Sequence, residues 1–300
     1  MYRVDILLPT FNGEKYIEEQ INSLLKQSYK NIKIYIRDDG STDETITIIE
    51  KLAEREERII VNKDIESNLG LVANVNFLLD LSDADYIMFC DQDDIWFEKK
   101  IELLLNEMLT QEKSLGSETP ILIHSDCYVT DEYLNIKSLF KANKPLCYGL
   151  QNSFFNFYVQ GASSLFNKSL KVEITPFIKN VYFHDRYTHL IAEIVGFRFY
   201  LNLPLMYYRQ HSSNLVGSSS LIDKIRNFFL RENFNFFQKK DRLLIESIFH
   251  EKYPENEMLK YYLKMTSENI TLYQKLKIKI RYRIKMRFKE LFIMIIKFWD

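Results

Sequence analysis

Cysteine is scarce in this chain. Cys90, Cys127 and Cys147 are the three among 300 residues, and they form no C-x-x-C pair and no metal-ligand spacing. That excludes a disulfide framework and a thiolate zinc site. Reduced thiols in a cytoplasmic protein are the simplest expectation. Long apolar runs are also missing. The longest near the end, residues 291–296, falls far short of the ~20 residues that span a bilayer. A strand pattern begins at residue 4, so no signal peptide is expected. There is no G-x-G-x-x-G after that strand; Pro9-Thr10-Phe11-Asn12-Gly13 stands there instead. This disfavours a nicotinamide-dependent oxidoreductase, which places a glycine-rich phosphate turn at that point. Internal repeats and low-complexity linkers are absent as well.

What is present is an ordinary globular composition, 46% hydrophobic and 27% charged, with net charge −1. The charge is uneven. Residues 275–300 carry nine Lys/Arg against Glu290 and Asp300, a balance of +7 that leaves −8 on residues 1–274. A basic end on an acidic body suits an anionic partner such as lipid headgroups, the plainer account being a solvated charged end. Residues 275–284 alternate basic and apolar positions, a strand period, while Lys and Arg stems also permit an interfacial helix. Either form suits peripheral attachment to an anionic membrane. No recognised nucleic-acid module accompanies the tail, and no nucleic-acid partner is expected.

The first half alternates strand and helix patterns. Strands are expected at residues 3–8, 32–36, 59–61, 86–90 and 121–124. Helices are expected at 14–26, from a cap at Ser41 or Thr42 to about 57, at 71–81 and at 96–109. Residues 112–120 read as a loop. This order implies an α/β fold with a mostly parallel sheet flanked by helices. Further on, Gly161 to Ser164 sit in a strand, a helix begins at Asp185, and short strands are expected at 197–203 and 205–208. From about 218 the chain reads as helical. The domains expected are residues 1–217, in halves of about 1–125 and 126–217, and a helical, basic extension over 218–300.

Three polar motifs each follow a strand pattern, at the end where open α/β sheets bind ligands. Pro9, Thr10 and Phe11 close the first, where a loop can present backbone groups to a base or ribose. Arg37-Asp38-Asp39-Gly40 closes the second. A carboxylate there can accept bonds from a pyrimidine N–H or a ribose hydroxyl, though Asp-Gly is also common turn chemistry. Asp91-Gln92-Asp93-Asp94 closes the third. Two carboxylates one residue apart can hold a hard divalent cation, and the cation a diphosphate.

Taken together over about residues 2–215, these motifs resemble the family 2 glycosyltransferases of the GT-A fold. Asp91 to Trp96 resembles a rhamnosyltransferase-like bacterial subgroup. The resemblance implies a Rossmann-like GT-A sheet, a metal-binding DXD motif, and inverting transfer from dTDP-L-rhamnose or a UDP-hexose. The acceptor implied is a glycan or lipid-linked oligosaccharide, at the inner membrane face, in capsule or O-antigen synthesis. Pro9, Thr10, Phe11, Asp39, Asn68 and Asp91 would contact the nucleotide. Asp93 would hold Mg²⁺ or Mn²⁺, with His211 completing the shell. Asp185 would be the catalytic base, its plainer account being a helix N-cap. Arg209 would neutralise the departing diphosphate, and Gly161 would line the acceptor side. Val75 departs from the family, where many members carry Arg. A catalytically silent member that binds nucleotide sugar or glycan is the competing expectation. The presence of Asp39, Asp91, Asp93 and Asp185 together speaks against it.

Overall fold

A computed structural model describes residues 2–62, 68–141, 148–153, 159–211 and 232–266. The basic tail and the 217/218 boundary lie outside those residues. The chain divides into two units. The first holds residues 1–146, 158–177 and 181–226, and the second 147–157, 178–180 and 227–300.

The first unit is built on one sheet. Its parallel half runs β3 (Ile59–Asn62), β2 (Ile32–Asp38), β1 (Val4–Thr10) and β4 (Tyr86–Phe89). Every residue of β1 is buried, as expected of a strand covered on both faces. The sheet continues through β8 (Ser164–Asn167), β6 (Ile121–Thr130), β9 (Phe197–Arg209) and the two-residue β5 (Ile95–Trp96); β7 (Ile136–Leu139) pairs with β6. β9 runs parallel to β6, while β8, β7 and β5 enter antiparallel to their neighbours. The α/β class with helices on a mostly parallel sheet is therefore observed.

Helices α1 (Ile17–Leu25), α2 (Thr45–Ala53), α3 (Leu71–Leu81), α4 (Lys100–Leu115), α6 (Lys168–Ile174) and α7 (His184–Val195) accompany the sheet. α1 buries Ile17, Ile21 and Leu24, the stripe its period anticipates. The second unit contains the short α5 (Leu150–Ser153), α8 (Glu232–Glu251) and α9 (Glu257–Thr266).

Four expectations are corrected. Trp96 does not start α4, because Ile95 and Trp96 pair with Tyr207 and Met206 of β9. α4 instead runs on to Leu115 and stops at Gly116, whose φ is +90°. Neither Ser41 nor Thr42 caps α2. Ser41 Oγ donates to Asp38 and accepts from the Asn12 N–H, and Asp43 takes the Thr45 N–H. The two short strands at 197–208 are one, bent where the β6–β9 register shifts at Asp126.

Candidate active site

The parallel register brings the ends of β1 and β2 together, with Thr10 opposite Asp38. Thr10 Oγ1 donates to Asp38 at 2.9 Å, and Asp38 also takes the amides of Gly40 and Ser41. Asn12 accepts the Thr42 amide, and Gly13 donates to Thr45 Oγ1. The two loops thus form one rigid lip. Asp39 is 6% exposed. Its carboxylate takes the Leu69 and Gly70 amides at 2.8 Å each and an Arg37 N–H at 3.0 Å. A carboxylate has about four acceptor positions, so about one remains after these three. Asn68, at φ +60°, donates its amide to the Asp39 carbonyl. Pro9 is buried, whereas Phe11 is 48% exposed.

The 91–94 turn after β4 sends four side chains to four places. Asp91 Oδ2 accepts from Gln160 Nε2 at 2.9 Å. Gln92 makes two bonds with the Phe11 backbone, accepting its N–H and donating to its carbonyl, both at 2.9 Å. Asp93 Oδ2 lies 2.8 Å from His211 Nε2. Asp94 is buried and accepts the Arg209 amide at 3.2 Å, while its second oxygen has no partner. Burial and the neighbouring Asp91 and Asp93 charges push the Asp94 carboxyl well above its ordinary range. An uncompensated charge there would be costly, and protonation relieves it.

Asp185 lies in the first turn of α7, one residue past its first position, so it is not the N-cap; Phe183 is. The carboxylate takes the Arg186 amide at 2.7 Å and the Gly161 amide. Burial raises its pKa to about 6 against those bonds and the Arg186 charge. Gly161 to Ser163 are not in a strand as expected but form a 3-10 turn pressed on the start of α7, and β8 begins only at Ser164. A Cβ at 161 would come within 3.1 Å of Asp185 Cβ and 3.2 Å of His184 Nε2. Burial raises the Asp91 carboxyl, and the charges of Asp93 and Asp185 add to it. The structure therefore gathers Asp91, Asp93, His211, Gly161 and Asp185, and Gln92 ties that group to the β1–β2 lip.

Arg209 sits in the wall behind this group. It is 4% exposed, donates to Glu19 at 2.6 Å and to the Glu132 carbonyl at 3.2 Å, and lies over the Tyr16 ring. Tyr16 in turn stacks on His211, ring centroids 4.7 Å apart. Val75 is fully buried in α3.

Sequence reasoning missed Gln92, Gln160, Tyr16 and Lys100. Lys100 is buried over Trp96, and its Nζ donates to the Ala162 carbonyl at 2.5 Å. Burial lowers its pKa to about 7. Its one signal was position, a Lys beginning the helix after the acidic turn.

The site thus combines a hydrogen-bonded lip at the ends of β1 and β2, an acidic turn after β4 and a half-buried carboxylate in the first turn of α7. Residues 5–136 match the family model described as Glycosyl transferase family 2. That match identifies a family 2 glycosyl transferase domain over those residues. The relative dTDP-rhamnosyl transferase RfbG of Shigella flexneri is 28% identical over 85% of this chain and 89% of its own length. UDP-Glc:alpha-D-GlcNAc-diphosphoundecaprenol beta-1,3-glucosyltransferase WfgD of Escherichia coli is 32% identical over 36% of this chain and 42% of its own. Among solved structures, S. aureus TarS 1–349 in complex with UDP-GlcNAc has a TM-score of 0.60 and 17% identity, over 96% of this chain and 77% of that one. The glycosyltransferase fold follows for this chain as well, with the GT-A arrangement of sheet and helices.

Proposed function

We propose that this glycosyltransferase moves a sugar from a nucleotide-diphosphate donor to a glycan hydroxyl with inversion. The observation that carries the reading is Asp185, a carboxylate raised to about 6 and close enough to Asp91 to perturb it. Asp185 takes the acceptor hydroxyl proton as the oxygen bonds to the anomeric carbon. The bond from that carbon to the diphosphate breaks on the opposite face, and its electron pair leaves with the nucleoside diphosphate. A placed general base contributes about 10²–10⁴-fold. Gly161 leaves room for the acceptor beside the base.

Pro9, Thr10, Phe11, Asp39, Asn68 and Asp91 frame the nucleotide, with the exposed Phe11 ring and the last acceptor position of Asp39 facing it. Asp93 Oδ2 and His211 Nε2 lie 2.8 Å apart and would part to hold the cation. An oxygen and an imidazole nitrogen together suit Mn²⁺ better than the all-oxygen shell that Mg²⁺ prefers. When bound, the cation neutralises charge on the leaving diphosphate. Among the described residues no group of three or more His, Cys, Asp or Glu could hold a metal ion, so phosphate and water oxygens would supply the rest of the shell. Arg209 supports this point through Tyr16 and His211.

The likeness to RfbG over most of both chains favours dTDP-L-rhamnose, with UDP-hexoses as competitors. A lipid-linked oligosaccharide in cell-surface polysaccharide synthesis suits a chain with a basic tail at an anionic membrane. The deciding experiment is binding and hydrolysis across a panel of dTDP- and UDP-sugars, with Asp93→Ala as control. One donor bound only with Mn²⁺ or Mg²⁺, and lost in the variant, is the expected result. Unchanged metal dependence in Asp93→Ala removes the metal assignment. No donor bound at all favours the silent member.

A further inference from the structure

We infer that Gln160 is a positioning residue that locks the donor-side carboxylate of Asp91 to the turn packed on Asp185. The inference rests on the roles proposed above for those two aspartates.

Gln160 is 7% exposed and both ends of its amide are used. Nε2 donates to Asp91 Oδ2 at 2.9 Å, and Oε1 accepts the Ser163 amide at 2.8 Å. The amide has only one workable orientation, since a carboxylate must accept and a backbone N–H must donate. Oε1 thereby caps the Gly161–Ser163 turn, and the Gly161 amide reaches the Asp185 carboxylate. A continuous path runs from Asp91 through Gln160 and the turn to Asp185. The charges of Asp93 and Asp185 both act on Asp91, and the Gln160 donor fixes which way its carboxylate faces. Hydrogen bonds to charged groups contribute roughly 1.5–3 kcal/mol, about tenfold or more in an equilibrium.

Two variants separate the two ends. Gln160→Glu keeps the acceptor for Ser163 and removes the donor to Asp91. Gln160→Ala removes both. The turn keeps its bonds from Lys100 to the Ala162 carbonyl and from Ser164 Oγ to the Gly161 carbonyl, so both variants should fold, as checked by circular dichroism and thermal melting. The assay is nucleotide release from dTDP-L-rhamnose and from UDP-glucose with Mn²⁺, water serving as acceptor, alongside donor affinity by calorimetry.

Gln160→Glu should raise the donor KM about tenfold and keep kcat within about threefold. Gln160→Ala should show the same rise and lose about tenfold in kcat, because the turn that seats Asp185 loses its Gln160 cap. A wild-type KM in Gln160→Glu, or equal kcat losses in both variants, overturns the inference. So does a common loss of melting temperature and active fraction with no split between KM and kcat. Asp185→Asn, run beside them, keeps the two failures apart. If it still releases nucleotide, the base reading falls together with the kcat half of this inference. If it is inactive while both Gln160 variants behave as wild type, only the present inference falls.

Discussion

Asp185 ionises against its surroundings. Burial holds its carboxyl near 6, and the base must be deprotonated to act, so kcat/KM should rise with pH through about 6 and level above it. A flat profile from pH 5 to 8 would count against the assignment. The same shift has a cost in stability. In the unfolded chain the group ionises near its ordinary value, so between that value and 6 the folded form binds more protons. Stability therefore falls as pH rises through this window, and the penalty is fully present above it. Asp185→Asn keeps the shape and removes the charge. It should lose about 10²–10⁴-fold in transfer with donor affinity retained. At pH 8 it should be more stable by about 1 kcal/mol, a figure discounted for the partial exposure of the carboxyl. That corresponds to about 2–4 °C in melting temperature, and the gain should vanish near pH 4. Collapse of donor affinity instead would make Asp185 a donor-binding or structural group.

At the scale of elements, α7 is placed by its far end as well as its first turn. Gly196 joins it to β9, and a Cβ there would lie 1.9 Å from the Pro120 carbonyl oxygen. That oxygen also accepts the Phe197 amide, so it cannot move aside freely. Gly196→Ala should destabilise the protein by about 1–3 kcal/mol, read by urea unfolding, and lower activity by shifting the helix that carries Asp185. Wild-type stability would show that the joint relaxes. Most elements could be read from pattern. α3 needs only its apolar period and the preceding Gly70, and β1 its unbroken apolar run. Trp96 was misread because a two-residue strand leaves no periodic trace, and β9 was split because its bend comes from the register with β6. Asp39, Asp91 and Asp93 were legible because each follows a strand, whereas Asp185 was reached only through the family resemblance. Gln92 and Gln160 were not legible, since their partners lie 81 and 69 residues away, a separation no local pattern carries.

For the whole molecule, charge is the organising quantity. No helix among the described residues is long and apolar enough to cross a membrane, while residues 275–300 carry +7. Basic residues near an anionic surface contribute about 1 kcal/mol each, and salt screens them. The full chain should sediment with phosphatidylglycerol vesicles at low salt and release as salt rises. A chain ending at Thr271 should stay in solution and keep its activity on a soluble acceptor. Vesicle binding that survives the truncation would place the contact elsewhere. The 91–94 turn bears on how such a molecule can change over time. Its four side chains reach Gln160, the Phe11 backbone, His211 and the Arg209 amide in strict succession. Adding or removing one residue just before it would shift every one of these partners at once. The segment can therefore be inherited, swapped or grafted only as an intact reading frame, and its length is under a tighter constraint than any single letter within it.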